Sequence, residues 1–279
     1  MEEQFLTYKP KNEIVAKHIS YYYFHQSFNE NFERSFVYYP NFKNTITIHK
    51  DSVASRTKTS GVYTFKKDNL EVYYSSNLNL RKEVVLKGKF NKIGIVFTPL
   101  GLNYFLECAL SKISSQVEFD FNYFGNEFVT EIYKVYQAAK FEDKVTLLDA
   151  FFESKYNPNL DERIQLAVKE IISSKGLTTS LEIADILKVS RKTVLRLFKT
   201  HLNCSVEDYK KLVRFRVALN HSQESKDELK LSDIAYDTHF CDQASLTNHF
   251  KSIIGKTPKS LFKNIEKLGE EDTYWTLKK

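Results

Sequence analysis

The sequence predicts an α+β protein: a β-rich, barrel-like module ending in a helical pair over 1–155, an all-α domain over 160–265, and a short tail over 266–279. Three observations predict it. Short runs rich in Tyr, Phe, Val and Ile recur up to position 98, punctuated by Asn, Asp, Gly and Pro at intervals of about ten residues. Beyond that point the apolar period changes from two to three or four, the helical spacing. Finally, the stretch 183–199, IADILKVSRKTVLRLFK, returns in degenerate form at 234–251, IAYDTHFCDQASLTNHFK. A repeat of this length marks a duplicated supersecondary unit.

Strands are expected at 20–24, 35–39, 45–49, 61–65, 70–74, 83–86 and 92–97, an even spacing that suits a small barrel or sandwich. After Thr98-Pro99-Leu100-Gly101, the positions Leu102, Phe105, Leu106, Ala109 and Leu110 follow a helical period. Two further helices are expected at 127–140, with Phe128, Ile132, Val135 and Tyr136 on one stripe, and at 142–156, with Val145, Leu148, Phe151 and Phe152. Their short connection makes them an antiparallel pair, whose stripe serves either as core or as a dimer interface. The histidines of this half, His18, His25 and His49, form no metal-ligand pattern, and no G-x-S-x-G, P-loop or G-x-G-x-x-G occurs. Its aromatics either pack the sheet or line a pocket for an apolar small molecule.

The polar stretch 156–163, YNPNLDER, reads as a boundary, with Asp161 capping a helix that buries Ile164, Ala167, Val168, Ile171 and Ile172 and ends at Gly176. Ser180 is expected to cap the next helix, which buries Ile183, Ala184 and Leu187. Lys188-Val189 then turn the chain into Ser190, the expected cap of 191–201. A short helix, a tight turn holding one apolar residue and a second helix anchored by an i,i+4 apolar pair make a helix-turn-helix, whose second helix can enter a major groove. With Val194 and Phe198 inward, Lys192, Arg196 and Lys199 share the outward face; Thr193 and Leu195 flank it and Arg191 begins it. Such cations reach phosphates or guanine edges, and an exposed leucine can touch a thymine methyl group.

Between the copies, Ser205 opens a long helix holding Tyr209, Leu212, Val213, Phe215, Val217 and Leu219. About fifteen residues span roughly 22 Å, enough to set two recognition helices into successive major grooves about 34 Å apart. The second recognition helix offers Gln243, Ala244, Ser245, Thr247 and Asn248, with Lys251 its only charge. The first unit is therefore expected to supply most of the electrostatic affinity, and the second to read adenine through Gln243 or Asn248 or to contact backbone.

Charge is placed accordingly. The chain carries a formal +6, and between 155 and 267 there are 20 Lys and Arg against 14 Asp and Glu, so the excess sits with the repeat and favours a polyanionic partner. Cys108, Cys204 and Cys241 are odd in number, widely spaced and outside any CxxC pair, which fits a reducing compartment rather than a disulfide framework or zinc site. The acidic start lacks an apolar leader and no run of about eighteen apolar residues occurs, so a soluble, cytoplasmic protein with no membrane partner is expected.

Taken together, Ile183-Ala184, Ser190, Arg196, Phe198-Lys199, Ser205, Tyr209, Arg214 and Ala218, then Ile234-Ala235, Phe240, Asp242-Gln243, Leu246, Phe250-Lys251, Gly255 and Thr257-Pro258, closely resemble the DNA-binding domain of AraC/XylS-family bacterial transcription regulators over about 160–263. The resemblance implies base-facing roles for Lys192, Leu195 and Arg196 in the first unit and for Gln243, Ala244, Thr247 and Asn248 in the second. Departures are Asn203 and His239 where the family favours glycine, Val206 for a common proline, and Asn248 for a frequent arginine. Asparagine tolerates the left-handed conformation, so the first turn should survive. The first half is similar, through Tyr8-Lys9-Pro10, Gly88-Lys89-Phe90 and Phe97-Thr98-Pro99, to cupin-like sensor barrels of the same family that end in a dimerising helical pair.

The resulting expectation is a regulator binding double-stranded promoter DNA, with a small-molecule effector, a homodimer and, for an activator, RNA polymerase as further partners, and no cofactor or metal. Two other classes fit parts of the chain. One is a DNA-repair-type enzyme with an appended helix-turn-helix domain using a reactive Cys108, although that cysteine sits on an apolar stretch without a histidine or cysteine partner. The other is a protein–protein interaction module built from the same helices.

Overall fold

The computed structural model describes residues 3–57, 59–75, 81–113, 118–224 and 230–278. Its first half is a strongly curved sheet of strands β1 (Gln4–Tyr8), β2 (Ile19–Ser27), β3 (Glu33–Tyr38), β4 (Thr45–Arg56), β5 (Ser60–Ser75), β6 (Lys82–Lys87), β7 (Phe90–Phe97) and the short β8 (Glu118–Asp120). All the strands expected from the sequence are present. The two runs at 61–65 and 70–74 are one strand, because β4 and β5 stay paired past an irregularity between Lys50 and Ser52. β1 and β8 lie outside the expected runs.

The alternation along β2, β4 and β7 gives the sheet two apolar faces. Tyr22, Phe24, Ile46, Ile48, Ile93, Ile95 and Phe97 point outward and pack against helices α2 (Gly125–Gln137) and α3 (Phe141–Ser154). That is the expected antiparallel pair, and its stripe is core: Phe128, Ile132, Val135, Val145, Leu148 and Phe152 are all buried. Phe36, Tyr63, Tyr73, Val84, Leu86 and Phe90 fill the inside of the curve. Gly94 is required there, since a Cβ at that position would fall 1.9 Å from the Tyr23 ring.

The helix expected from Leu102 to Leu110 does not form. Leu100 turns into the left-handed region at φ 63°, Gly101–Phe105 makes a 3-10 turn, and the short helix α1 (Leu110–Ile113) begins only afterwards. Gly101 is the cause: a Cβ there would meet the His18 carbonyl oxygen at 1.9 Å, so close packing of this turn against the start of β2 overrides the apolar period.

The second half is helical: α4 (Glu162–Ser173), α5 (Ser180–Ile186), α6 (Arg191–Leu202), α7 (Val206–Glu224), α8 (Leu231–Asp237), α9 (Gln243–Ile254) and α10 (Pro258–Phe262). The stretch taken from the sequence as a tail is instead part of the sheet. Strands β9 (Glu266–Leu268) and β10 (Thr273–Lys278) form a hairpin, and β10 pairs antiparallel with β3. The strand order is β1-β2-β7-β4-β5-β6-β3-β10-β9, and the hairpin turn at Gly269 rests on Thr7 and Phe5 of β1, so the nine strands nearly close a barrel. The reason is visible in composition: Tyr274, Trp275 and Leu277 give a strand pattern to a chain end that otherwise reads as charged.

Candidate nucleic-acid interface

Two helix-turn-helix units repeat the same local chemistry with different residues. In the first, Thr179 caps α5 and closes a capping box with Glu182; the cap is one residue before the Ser180 expected from sequence. In both units the turn residue after the first helix takes the left-handed conformation, Lys188 at φ 52° and His239 at φ 60°. The next residue's N–H then returns to the alanine carbonyl: Val189 to Ala184 at 3.0 Å and Phe240 to Ala235 at 2.8 Å. Ala184 and Ala235 are buried where the helices cross, and a larger side chain would push them apart. His239 thus keeps the backbone geometry that a glycine would adopt more readily.

The recognition helices are capped alike. Ser190 Oγ accepts the Thr193 N–H at 3.2 Å, and Asp242 Oδ1 accepts the Ser245 N–H at 2.6 Å. They end alike too, at Asn203 with φ 56° and Gly255 with φ 67°. Buried Val194, Leu197, Phe198 and Leu202 anchor α6, and Leu246, Phe250 and Ile254 anchor α9.

What remains outside is the candidate surface. On α6, Arg191, Lys192, Leu195, Arg196 and Lys199 are exposed, while Thr193 is half-buried against Ser190. On α9, Gln243, Ala244, Asn248 and Lys251 are exposed and Thr247 is half-buried. No residue of either set is buried. Arg191 and Lys192 occupy the first turn of α6, which carries no acidic residue. Cations there oppose the helix dipole at a cost of a few tenths of a kcal/mol, so positive charge at that end is a burden on the isolated fold that a phosphate would relieve.

Helix α7 supports both units, and sequence reasoning missed how. Tyr209 stacks edge-on to Phe198 of α6, and Phe215 packs on Phe250 of α9. The Arg214 guanidinium lies 4.1 Å from the Phe240 ring centre and donates to the His239 carbonyl at 3.2 Å, while His249 of α9 pairs with the Lys211 carbonyl at 2.9 Å. Burial holds His249 down to about 4, so this contact stays neutral at ordinary pH. The barrel touches the interface from behind, where Asn103 Nδ2 donates to the His201 carbonyl at the end of α6.

Among the described residues, no group of three or more His, Cys, Asp or Glu side chains is placed to hold a metal ion, and no helix is long and apolar enough to cross a membrane. Cys108 is half-buried, Cys204 buried and Cys241 exposed, and all three are free thiols.

A family model described as "Helix-turn-helix domain" matches residues 183–264. No curated protein matches the chain. Among solved structures the chain is similar to ToxT from Vibrio cholerae, at 11% identity over 94% of this chain and 98% of that one, with a TM-score of 0.47. It is also similar to wild-type ToxT from Vibrio cholerae strain SCE256 bound to an unsaturated fatty acid, at 14% identity over 97% and 98%, TM-score 0.45. The C-terminal domain of AraT, a response regulator from Geobacillus stearothermophilus, is similar at 22% identity over 41% of this chain and 93% of that one, TM-score 0.35. These identities leave the roles of individual residues to be argued from this chain alone. Residues 183–264 are a helix-turn-helix domain.

Proposed function

We propose that α6 and α9 enter successive major grooves of promoter DNA, and that the barrel controls how they are presented. The carrying observation is the pair of recognition helices, capped and turned alike, with none of the candidate contact residues buried. Lys192, Leu195 and Arg196 face bases in the first unit, Arg191, Thr193 and Lys199 hold its phosphates, and Gln243, Ala244, Thr247 and Asn248 read the second half-site with Lys251 on backbone. The barrel responds to a small-molecule effector, the chain works as a homodimer in the cytoplasm, and in an activating arrangement it meets RNA polymerase. It is a regulator without catalytic activity.

Selection of bound sequences from a random duplex pool tests this. A site with two short determinants about one helical turn apart is expected, with stronger salt dependence from the half under α6. Enrichment of no sequence, or binding that survives high salt and Arg196→Ala, would instead favour a protein-binding role for these helices.

A further inference from the structure

The two copies of the helix-turn-helix repeat carry their positive charge in different places. Position by position, Arg191, Lys192 and Arg196 of α6 are replaced on α9 by the neutral Gln243, Ala244 and Asn248. Past the left-handed residues Asn203 and Gly255 the exchange reverses, and Cys204 and Glu207 of the first copy stand opposite Lys256 and Lys259 of the second. These two segments are structural counterparts. Ser205 Oγ accepts the Asp208 N–H at 3.1 Å where α7 begins, and Thr257 Oγ1 accepts the Ser260 N–H at 3.3 Å where α10 begins. In the first copy Glu207 pairs with Lys210 at 3.3 Å, so this turn offers no surplus cation. In the second, Lys256 is half-buried and Lys259 exposed, and among the described residues neither ammonium has a hydrogen bond or an ion pair. Between positions 243 and 269 there are five lysines and a single acid, Glu266.

We propose that Lys256 and Lys259 bind the DNA phosphates bordering the half-site under α9, giving the second unit a backbone grip that its neutral recognition helix lacks. The inference rests on the DNA-binding reading of the two units and places a contact outside both recognition helices. Position supports it first. A helix about 10–12 Å across fills a major groove about 12 Å wide, so the turn that leaves its end passes one of the bordering strands. For α9 that turn is Gly255-Lys256, and α10 is fixed against α9: Leu261 is buried and the Phe262 ring meets Phe250 at 5.5 Å. Lys259 is therefore held beside the end of α9 before any DNA arrives, and only its side chain remains to be ordered on binding.

Chemistry supports it second. An ammonium on a flexible stem acts as a point charge, which suits a phosphate oxygen and lacks the planar fork that reads a guanine edge. The two lysines thus add affinity without sequence information. Their place next to the exposed face of α9 selects DNA over an acidic protein, because one continuous surface then meets one polyanion. The duplicated units divide their labour differently as a result. In the first, α6 combines charge with readout; in the second, charge moves to the flank and Gln243 and Asn248 are left to read bases.

The test is fluorescence anisotropy of the full chain on the duplex selected from the random pool, across a salt series. The variants are Lys256→Gln, Lys259→Gln, their combination, and Lys267→Gln, an exposed lysine of β9, as the control. Each lost phosphate contact lowers the slope of log K against log salt by about 0.9, so the double variant should lose about 1.8 and each single variant half of that. Affinity of the double variant should fall roughly tenfold or more at 0.1 M salt, with the ratio between the selected site and its single-base variants unchanged. Neutral methylphosphonates in place of the phosphates around the half under α9 should weaken the native chain and leave the double variant unmoved. An unchanged slope, a loss confined to one base position, an equal loss in Lys267→Gln, or a methylphosphonate effect that survives in the double variant overturns the proposal. If the native chain enriches no sequence, the groove reading of the two units falls. The same slope comparison on random-sequence duplex then decides the lysines by themselves, since phosphate contacts do not depend on sequence.

Discussion

Arg196 and Lys199 share the exposed face of α6, but their chemistry separates what each should do. A guanidinium in the middle of a recognition helix can bridge two acceptors on one guanine, so Arg196→Ala should cost about 1–3 kcal/mol and relax discrimination at one base position. Lys199 lies in the last turn, where an ammonium meets phosphate; Lys199→Ala should weaken all sequences alike and flatten the salt slope by about one counterion. Fluorescence anisotropy across a salt series on the selected site and single-base variants reads both effects. Lys92 of β7, buried inside the barrel, carries a residue-scale prediction of another kind. Burial lowers its folded pKa to about 7, below that of the unfolded chain, so between pH 7 and about 9 the unfolded state binds more protons and stability should rise with pH. Below 7 both states are protonated and this contribution is gone. Urea unfolding at pH 7 and 9 should show the rise in the native chain and a smaller one in Lys92→Met.

At the scale of elements, the two helix-turn-helix units are held by caps and by one left-handed residue each. Thr179, not Ser180, caps α5 in a box with Glu182, so Thr179→Ala should cost about 1 kcal/mol and Ser180→Ala only a few tenths. His239 at φ 60° is the sharper case. Valine there faces the full left-handed penalty, and His239→Val should lose about 2 kcal/mol, whereas His239→Gly should match or exceed the native chain because its relief of strain offsets the added chain entropy. Arg214 bonds the His239 carbonyl rather than its side chain, so the glycine variant keeps that support. Chemical denaturation of the three variants decides the order. The capped starts at Asp161 and Ser190 and the Ile-Ala entries were legible because capping is local: a side-chain oxygen and an N–H two or three residues on are enough. The 102–110 helix failed for the opposite reason, since the contact that prevents it comes from His18, far away in sequence.

At the scale of the molecule, the chain leaves the barrel, builds the DNA-binding half and returns to finish the barrel wall. Trp275 stacks on Phe36 at 3.9 Å, Tyr21 bonds Thr273 at 2.8 Å, Tyr39 bonds Thr276 at 2.8 Å, and buried Arg216 ties α7 to Asp272. Trp275→Ala should therefore cost about 3–5 kcal/mol, the range for emptying a buried large aromatic site. Its effect should not stop at the barrel. With the hairpin loosened, the two halves should unfold in separate transitions where the native chain shows one, as read by calorimetry and by intrinsic fluorescence of the tyrosines.

The sequence by itself determined the α+β division, the strands and helical pair of the first half, and the duplicated helix-turn-helix with its exposed cationic and amide faces. All of these rest on short-range periodicity, on caps and on turn residues. Only the tertiary structure decided that the end of the chain is a barrel strand, that α7 braces the turn and the recognition helix of the second unit through Arg214 and Lys211, and that Lys92 stands unpaired among the described residues inside the barrel. Each of these depends on partners far apart in the chain, such as β10 on β3 or Trp275 over Lys92, and no local pattern of side chains records which distant surface a strand or a lone cation will meet.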